Sequence, residues 1–225
     1  MPEAVIDELS IRACKGAGMR FRGPHNSALG NAISAFNHNW GFISELKRGV
    51  YDGGVEACGN LHTYANGNDR GAWLGAVFAG NIIVDGDGLF ISHPACRLGS
   101  VKALNAGGEL PGVTIATSNT QIGSMHITMH RTSYRQVGLF ITGRRNVIGQ
   151  ALLSGNKFNN DGADINGARN RIGSLIIERF KSEEGDEDRA LALRLSGKLH
   201  DIRGDIIACD RDVEDRSVRS VVDVK

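Results

Sequence analysis

At 225 residues with 26 Lys+Arg against 25 Asp+Glu, the chain carries a formal charge of +1, so it has no bulk electrostatic pull toward nucleic acid. Its four cysteines lie far apart with no Cys-x-x-Cys pair, which argues against a disulfide framework and against zinc, and predicts thiols. No run of about 20 apolar residues is present to span a membrane, and the length suits one domain of an all-β or solenoid type.

The N-terminal stretch Met-Pro-Glu-Ala-Val-Ile lacks the basic and apolar parts of a secretory signal. The expectation is a protein made without a leader, extracellular only if one has been removed. Ile6–Ile11 followed by Gly18-Met-Arg-Phe21 reads as a first coil of short strands, and Ile33 to Ile43 as a second. From about 37 to 75 the pattern changes. This stretch concentrates aromatics, amides and histidines, among them Trp40, Tyr51, His62 and Tyr64. Aromatic faces beside amides suit sugar rings, so these four are candidate glycan-binding residues. They read equally as inward-packing aromatics or subunit contacts, Trp40 and Trp73 above all. Gly71-Ala-Trp-Leu74 sits in a third coil. Asp85 and Asp87 in Val-Asp-Gly-Asp-Gly read as a turn; the following coil, Asn105 to Glu109, supplies no well-placed third carboxylate for a cation.

From there a phrase recurs. Gly-x-x-aliphatic appears at 88–91, 112–115, 138–141 and 162–165, in steps of 24, 26 and 24 residues. A second phrase interleaves with it: Leu98-Gly99-Ser100, Ile122-Gly123-Ser124, Ile148-Gly149-Gln150 and Ile172-Gly173-Ser174, with the same steps. Fixed-period self-similarity is the mark of a solenoid. The apolar runs inside each repeat (Ile82–Val84, Leu89–Ile91, Met125–Ile127, Leu139–Ile141, Ala151–Leu153, Leu175–Ile177) have strand length and no helical periodicity. The fold class is therefore all-β: a single-stranded right-handed parallel β-helix of about seven to nine coils of ~25 residues, roughly 35–45 Å long at the usual strand spacing. The domain spans 1–210, with 211–225 as a charged C-terminal tail or cap over an open sheet edge.

Thirty glycines far exceed the usual ~7%, and sharp turns needing φ > 0 account for them in this reading. Asn119, Asn146 and Asn170 fall at corners, either as left-handed turn residues or as a hydrogen-bonded ladder. Arg97, Arg144, Arg145, Arg169, Arg171 and Lys198 recur at one corner, as solubilising charge or as a stripe for an acidic polysaccharide. Of these, Arg145, Arg169 and Arg171 join the candidate glycan-binding set.

These coils, with Asn at corners and Gly-Leu-Phe-Ile strands, resemble the pectin-lyase-like right-handed β-helix superfamily, most nearly the tailspike and virion β-helices of tailed phages. Asn159-Asn160-Asp161-Gly162 is similar to the Asn-Thr-Asp-Gly motif of polygalacturonases. In that family it supplies an acid/base carboxylate for inverting hydrolysis. The resemblance implies Asp161, Asp164, Asp186 and Asp188 as candidate catalytic carboxylates, Asp186 lying one coil of 25 residues beyond Asp161. The family's later Gly-His-Gly and Arg-Ile-Lys motifs are missing; His200 is the one histidine that follows. What the resemblance implies is a phage virion structural protein, either capsid decoration or a spike, present as a homotrimer among other virion proteins. It would bind host polysaccharide, with no cofactor, metal or nucleic acid. The alternative is a polysaccharide-cleaving enzyme of the same fold.

Overall fold

The computed structural model describes residues 5–22, 28–45, 56–67, 70–75, 77–86, 88–92, 94, 96–106, 110–130, 136–156, 160–182 and 190–225. All its regular structure is strand. Numbered along the chain, the odd strands form one ten-stranded sheet: β1 (Val5–Arg12), β3 (Ala28–Ala35), β5 (Glu56–Tyr64), β7 (Val77–Asp85), β9 (Arg97–Ala106), β11 (Gln121–Met129), β13 (Val147–Ser154), β15 (Arg171–Glu178), β17 (Asp201–Ile207) and β19 (Val221–Val224). The even strands form a nine-stranded sheet: β2 (Met19–Arg22), β4 (Phe42–Glu45), β6 (Arg70–Leu74), β8 (Gly88–Ile91), β10 (Val113–Ile115), β12 (Val137–Ile141), β14 (Asp161–Ile165), β16 (Leu191–Leu195) and β18 (Arg211–Asp215). Every pairing is parallel, and the chain alternates between the sheets strand by strand. An all-β stack of this kind is compatible with a parallel β-helix. The stretch 37–75 continues the repeat through β4, β5 and β6, and 211–225 continues both sheets as β18 and β19.

The core is a set of columns, one residue per strand. Leu98, Ile122, Ile148, Ile172 and Ile202 stack in the large sheet, as do Ala103, Ile127, Leu153 and Ile177. The small sheet contributes Ile91, Ile115, Ile141, Ile165 and Leu195. All are buried, each large aliphatic contributing about 1.5–3 kcal/mol. A parallel strand buried on one face alternates in and out, and here the alternation slips once in strands such as β3, β7, β13 and β15. In β13, Ile148 is buried, Gly149 and Gln150 both face out, and Ala151 is buried again. The strand bends at that glycine.

Glycine occupies this bend in seven successive strands: Gly30, Gly59, Gly80, Gly99, Gly123, Gly149 and Gly173. A Cβ on any of them would lie within 2.8 Å of the carbonyl oxygen one strand back, that of Asp7 for Gly30 and of the preceding glycine for the rest. The other phrase works likewise at the entry to the small sheet. Cβ atoms on Gly18, Gly41, Gly112 and Gly138 would meet the next strand's carbonyl oxygen at 2.8–2.9 Å. The repeated glycines are therefore required by backbone packed on backbone, a different reason from the turn conformation expected of them. Among the described residues, φ is positive at only three glycines, Gly86, Gly167 and Gly197. Most left-handed corners carry side chains instead: Ala13, Phe36, Ala65 and Asn105 at one corner, and Asn119 (φ 62°), Arg145 (57°), Arg169 (58°), Leu199 (58°) and Arg219 (58°) at the other. Each such residue other than asparagine costs about 1–2 kcal/mol relative to glycine's freedom there.

Asn146 and Asn170 sit one position inside that second corner and are buried. Asn146 Oδ1 accepts the Thr120 N–H (2.9 Å), and Asn170 Oδ1 accepts both the Asn146 N–H and its Nδ2 (3.1 Å each). Asn146 Nδ2 also donates to the Thr117 carbonyl and Asn170 Nδ2 to that of Gly143. They form a ladder, whereas Asn119 alone is a left-handed corner. A second ladder runs at the opposite corner, where Asn37 Nδ2 donates to Asn66 Oδ1 (2.8 Å) and Asn37 Oδ1 accepts the Cys14 N–H (3.0 Å). Cys14, Cys58, Cys96 and Cys209 are free thiols.

Gly149→Ala is expected to lower stability by about 1–3 kcal/mol, because the opposing atom is backbone. Gly16→Ala, where nothing lies within 4 Å, is expected to be near neutral. Urea unfolding midpoints of the two variants check this.

Candidate binding face and carboxylate cluster

Two of the four candidate catalytic carboxylates, Asp161 and Asp164, fall in β14; Asp186 and Asp188 lie outside the described residues. Asp161 is 6% exposed and its Oδ1 accepts the Leu191 N–H at 2.7 Å. Beside it, buried Asn160 accepts the Gln136 N–H (3.1 Å) and donates to the His130 carbonyl (3.1 Å). The Asn-Asp-Gly motif thus bridges successive rungs through main-chain groups. Asp164 lies on the outer face of the small sheet, in one column with Phe140, Arg194 and Glu214. Arg194 reaches both acids, Nη1 at 3.4 Å from Asp164 and Nε at 3.2 Å from Glu214. Burial works against the Arg194 charge, but the hydrogen bond to Glu214 and the fields of Asp161 and Asp164 outweigh it and raise its pKa. The hydrogen bond from Arg194, against an opposing effect of burial and with help from Arg216, holds the Glu214 carboxyl below its ordinary range. Asp85 accepts the Asn105 amide at 3.0 Å, and Asp87 and Glu109 lie outside the described residues. Among the described residues no group of three or more His, Cys, Asp or Glu is placed to hold a metal.

The candidate glycan-binding residues separate into three places. Trp40 is 9% exposed and packs against half-buried Trp73 with the rings tilted and centroids 5.6 Å apart, and Trp73 meets Phe90 edge-on at 5.6 Å. The Arg70 guanidinium lies 5.9 Å from the Trp40 ring. Trp73 Nε1 donates to Ser92 Oγ. His62 and Tyr64 lie on the large sheet with ring centroids 5.1 Å apart, and Phe36 meets Tyr64 edge-on. Arg145, Arg169 and Arg171 are exposed at the corner entering that sheet, where Arg171 pairs with Asp201 at 3.4 Å. Tyr51 lies outside the described residues.

His62 belongs to a groove of about 600 Å³ on the outer face of the large sheet. One wall is a polar ladder one residue beyond the glycine column. Asn60 Nδ2 donates to Asn31 Oδ1 (2.7 Å), Asn81 Nδ2 to Asn60 Oδ1 (2.7 Å), and Ser100 Oγ to Asn81 Oδ1 (2.6 Å). Ala32 and Leu61 form the floor, and Ile33, His62, Ile83 and Lys102 the far wall. An amide nitrogen has two hydrogens, so Asn60 and Asn81 each keep a second donor beyond the ladder. The groove offers evenly stepped donors, with Glu8 next to Asn31 at one end, facing an apolar wall with one ammonium and one imidazole. None of Asn31, Asn60, Asn81, Ser100 or Lys102 was among the candidates. Their signal was in the sequence as Leu29-Gly30-Asn31, Cys58-Gly59-Asn60 and Ala79-Gly80-Asn81, three upstream forms of the interleaved phrase.

His200 occupies the asparagine position of the corner ladder. It is 1% exposed, with Nε2 bonded to the Ser196 carbonyl (2.7 Å) and its N–H donating to Ser220 Oγ (2.9 Å), while Nδ1 has no partner. It is a core residue, remote from the groove wall.

The described residues thus define an all-β protein of two stacked parallel sheets with an outward polar groove. Comparison with protein-family models, curated proteins and solved structures returns no match. Among the described residues no helix is long and apolar enough to cross a membrane.

Because Glu214 titrates low in the folded state, its contribution to stability is complete above the ordinary carboxylate pKa of about 4.3 and is lost as pH falls through the lower folded value. Glu214→Gln is therefore expected to melt below the parent at pH 7, with the gap closing below about pH 4. Thermal melts across that range check the sign.

Proposed function

We propose that this chain is a right-handed parallel β-helix of about nine coils that serves as a structural and adsorption component of a phage virion, holding host surface glycan without cleaving it. The observation that carries the binding half is the groove. Its stepped amide donors (Asn31, Asn60, Asn81) face Ile33, Ile83, His62 and Lys102, an arrangement that suits the hydroxyls and apolar faces of a sugar chain. Rungs about 4.8 Å apart repeat the same donor along the axis, which favours a linear polymer over a compact ligand. The reading without turnover is supported by Asp161, committed to the Leu191 N–H, and by Asp164, committed to Arg194. A general acid needs a raised pKa and access to the leaving oxygen; an acid 6% exposed and bonded to main chain lacks that access. The virion setting and the homotrimer draw their support from the coil repeat and its resemblance to phage β-helices.

Immobilised host-surface polysaccharide is expected to retain the parent protein, and Asn60→Ala/Asn81→Ala to weaken retention about tenfold, two lost hydrogen bonds at about 0.7 kcal/mol each. No reducing ends should appear during incubation. Release of reducing ends, abolished by Asp164→Asn, would establish the glycoside-hydrolase alternative instead. Light scattering on the purified protein is expected to give three times the chain mass of 24.1 kDa; a monomer at micromolar concentration would refute the trimer.

A further inference from the structure

The corner entering the large sheet carries a concentration of positive charge that the groove does not use. Three adjacent columns meet there. The outermost stacks Arg144, Ala168, Lys198 and Val218 through isolated bridges. The left-handed column stacks Asn119, Arg145, Arg169, Leu199 and Arg219. The first strand column stacks Gln121, Val147, Arg171, Asp201 and Val221. Six cations thus share this edge with one carboxylate, and Asp201 answers Arg171 and Arg203 (3.4 and 3.6 Å). Among the described residues no ion pair reaches Arg144, Arg145, Arg169, Lys198 or Arg219. Like charges one rung apart repel one another, and a polyanion relieves that repulsion.

The backbone at this corner sets which residues can replace the arginines. Arg145, Arg169 and Arg219 occupy φ of 57–58°, where asparagine or glycine sits with less strain, as Asn119 does in the same column. The corner imposes that conformation on whatever residue it holds, Leu199 included, so asparagine can stand in for arginine there without disturbing the fold. Beside this edge, a shallow trough of about 430 Å³ lined by Arg97, Gln121 and Val147 runs along the strand stack.

We propose that this corner is a docking strip for an acidic polysaccharide laid along the stack, its carboxylates held by Arg144, Arg145, Arg169 and Lys198. The inference rests on the glycan-binding reading above and names the class of glycan. A guanidinium takes a carboxylate through two parallel hydrogen bonds, so ligand carboxylates would engage Arg145 and Arg169 on neighbouring rungs about 4.8 Å apart.

The variant Arg145→Asn/Arg169→Asn tests this, because asparagine accepts the left-handed conformation and the fold is retained. Biolayer interferometry on immobilised polygalacturonate, alginate, hyaluronate, dextran and single-stranded poly(dT) gives the readout, at about 50 and about 300 mM salt. The expected result is binding to at least one of the three acidic polysaccharides, weakened by salt and roughly tenfold weaker in the variant. The variant's Tm should be unchanged or raised by about 2–4 °C. Equal acidic-glycan binding by variant and parent overturns the strip while leaving the groove reading intact, since that reading is sensed by Asn60→Ala/Asn81→Ala. Poly(dT) binding as tight as the best acidic glycan overturns the assignment to polysaccharide. Binding to none of the five overturns the strip.

Discussion

Main chain stacked on main chain, closer than any side chain allows, is the constraint on which this molecule turns. Seven glycines in the large sheet each abut the carbonyl oxygen one strand back, and a second glycine column repeats the arrangement at the entry to the small sheet. Hydrogen bonding between strands sets the distance; the absent Cβ lets each strand bend there while holding it. Because the bend recurs at the same place in each rung, all other residues fall into columns. The aliphatic columns then form the core, and among the described residues no helix element covers it.

A stack of bent strands has corners, and corners leave backbone N–H and C=O groups away from the sheet ladders. Buried groups of that kind cost about 1–3 kcal/mol each when unpaired. The asparagine ladders at Asn37–Asn66 and Asn146–Asn170 satisfy them, each amide bridging two rungs. Asn160 and Asp161 do the same for the rung entering β14. Seen this way, the two carboxylates of β14 part ways. Asp161 holds the stack together from within, whereas Asp164 points out and is tied into the Arg194–Glu214 cluster. His200 shows the cost of departing from asparagine: the imidazole spans the corner but leaves Nδ1 unpaired.

The period of the two glycine phrases made the all-β parallel stack legible, because a Cβ clash repeated at fixed spacing leaves its mark on composition as well as geometry. The reason for those glycines was not legible. A turn residue and a close-approach residue look the same in sequence, and only the register showed that arginine, leucine and alanine fill the left-handed corners. Upstream the phrase was hidden, since Cys58-Gly59-Asn60 and Ala79-Gly80-Asn81 exchange the aliphatic residue for a small one where β5 and β7 pack, and the spacing contracts. The Asn-Asp-Gly motif invited a chemical reading because sequence does not reveal which way a carboxylate faces. The groove was invisible for a related reason: Asn31, Asn60 and Asn81 lie 29 and 21 residues apart and become one wall only through strand register.

Core columns and surface columns are separable in this architecture. A residue facing in touches the same position of the rungs before and after it, and so is confined by two neighbours of its own kind. A residue facing out has the same spacing but no such confinement, so the outer columns can change chemistry without disturbing the stack. The large sheet uses this freedom twice, with a ladder of amides ending on Ser100 across β3, β5, β7 and β9 and a guanidinium-rich edge over its later strands. Both run parallel to the stack and repeat at the strand spacing. A polymer lying along them would meet the same contact at each step, so affinity would grow with the number of rungs engaged. The binding unit on such a surface is therefore the column, and its useful length is set by how many rungs carry the same residue before the pattern changes, as it does where Leu199 interrupts Arg169 and Arg219.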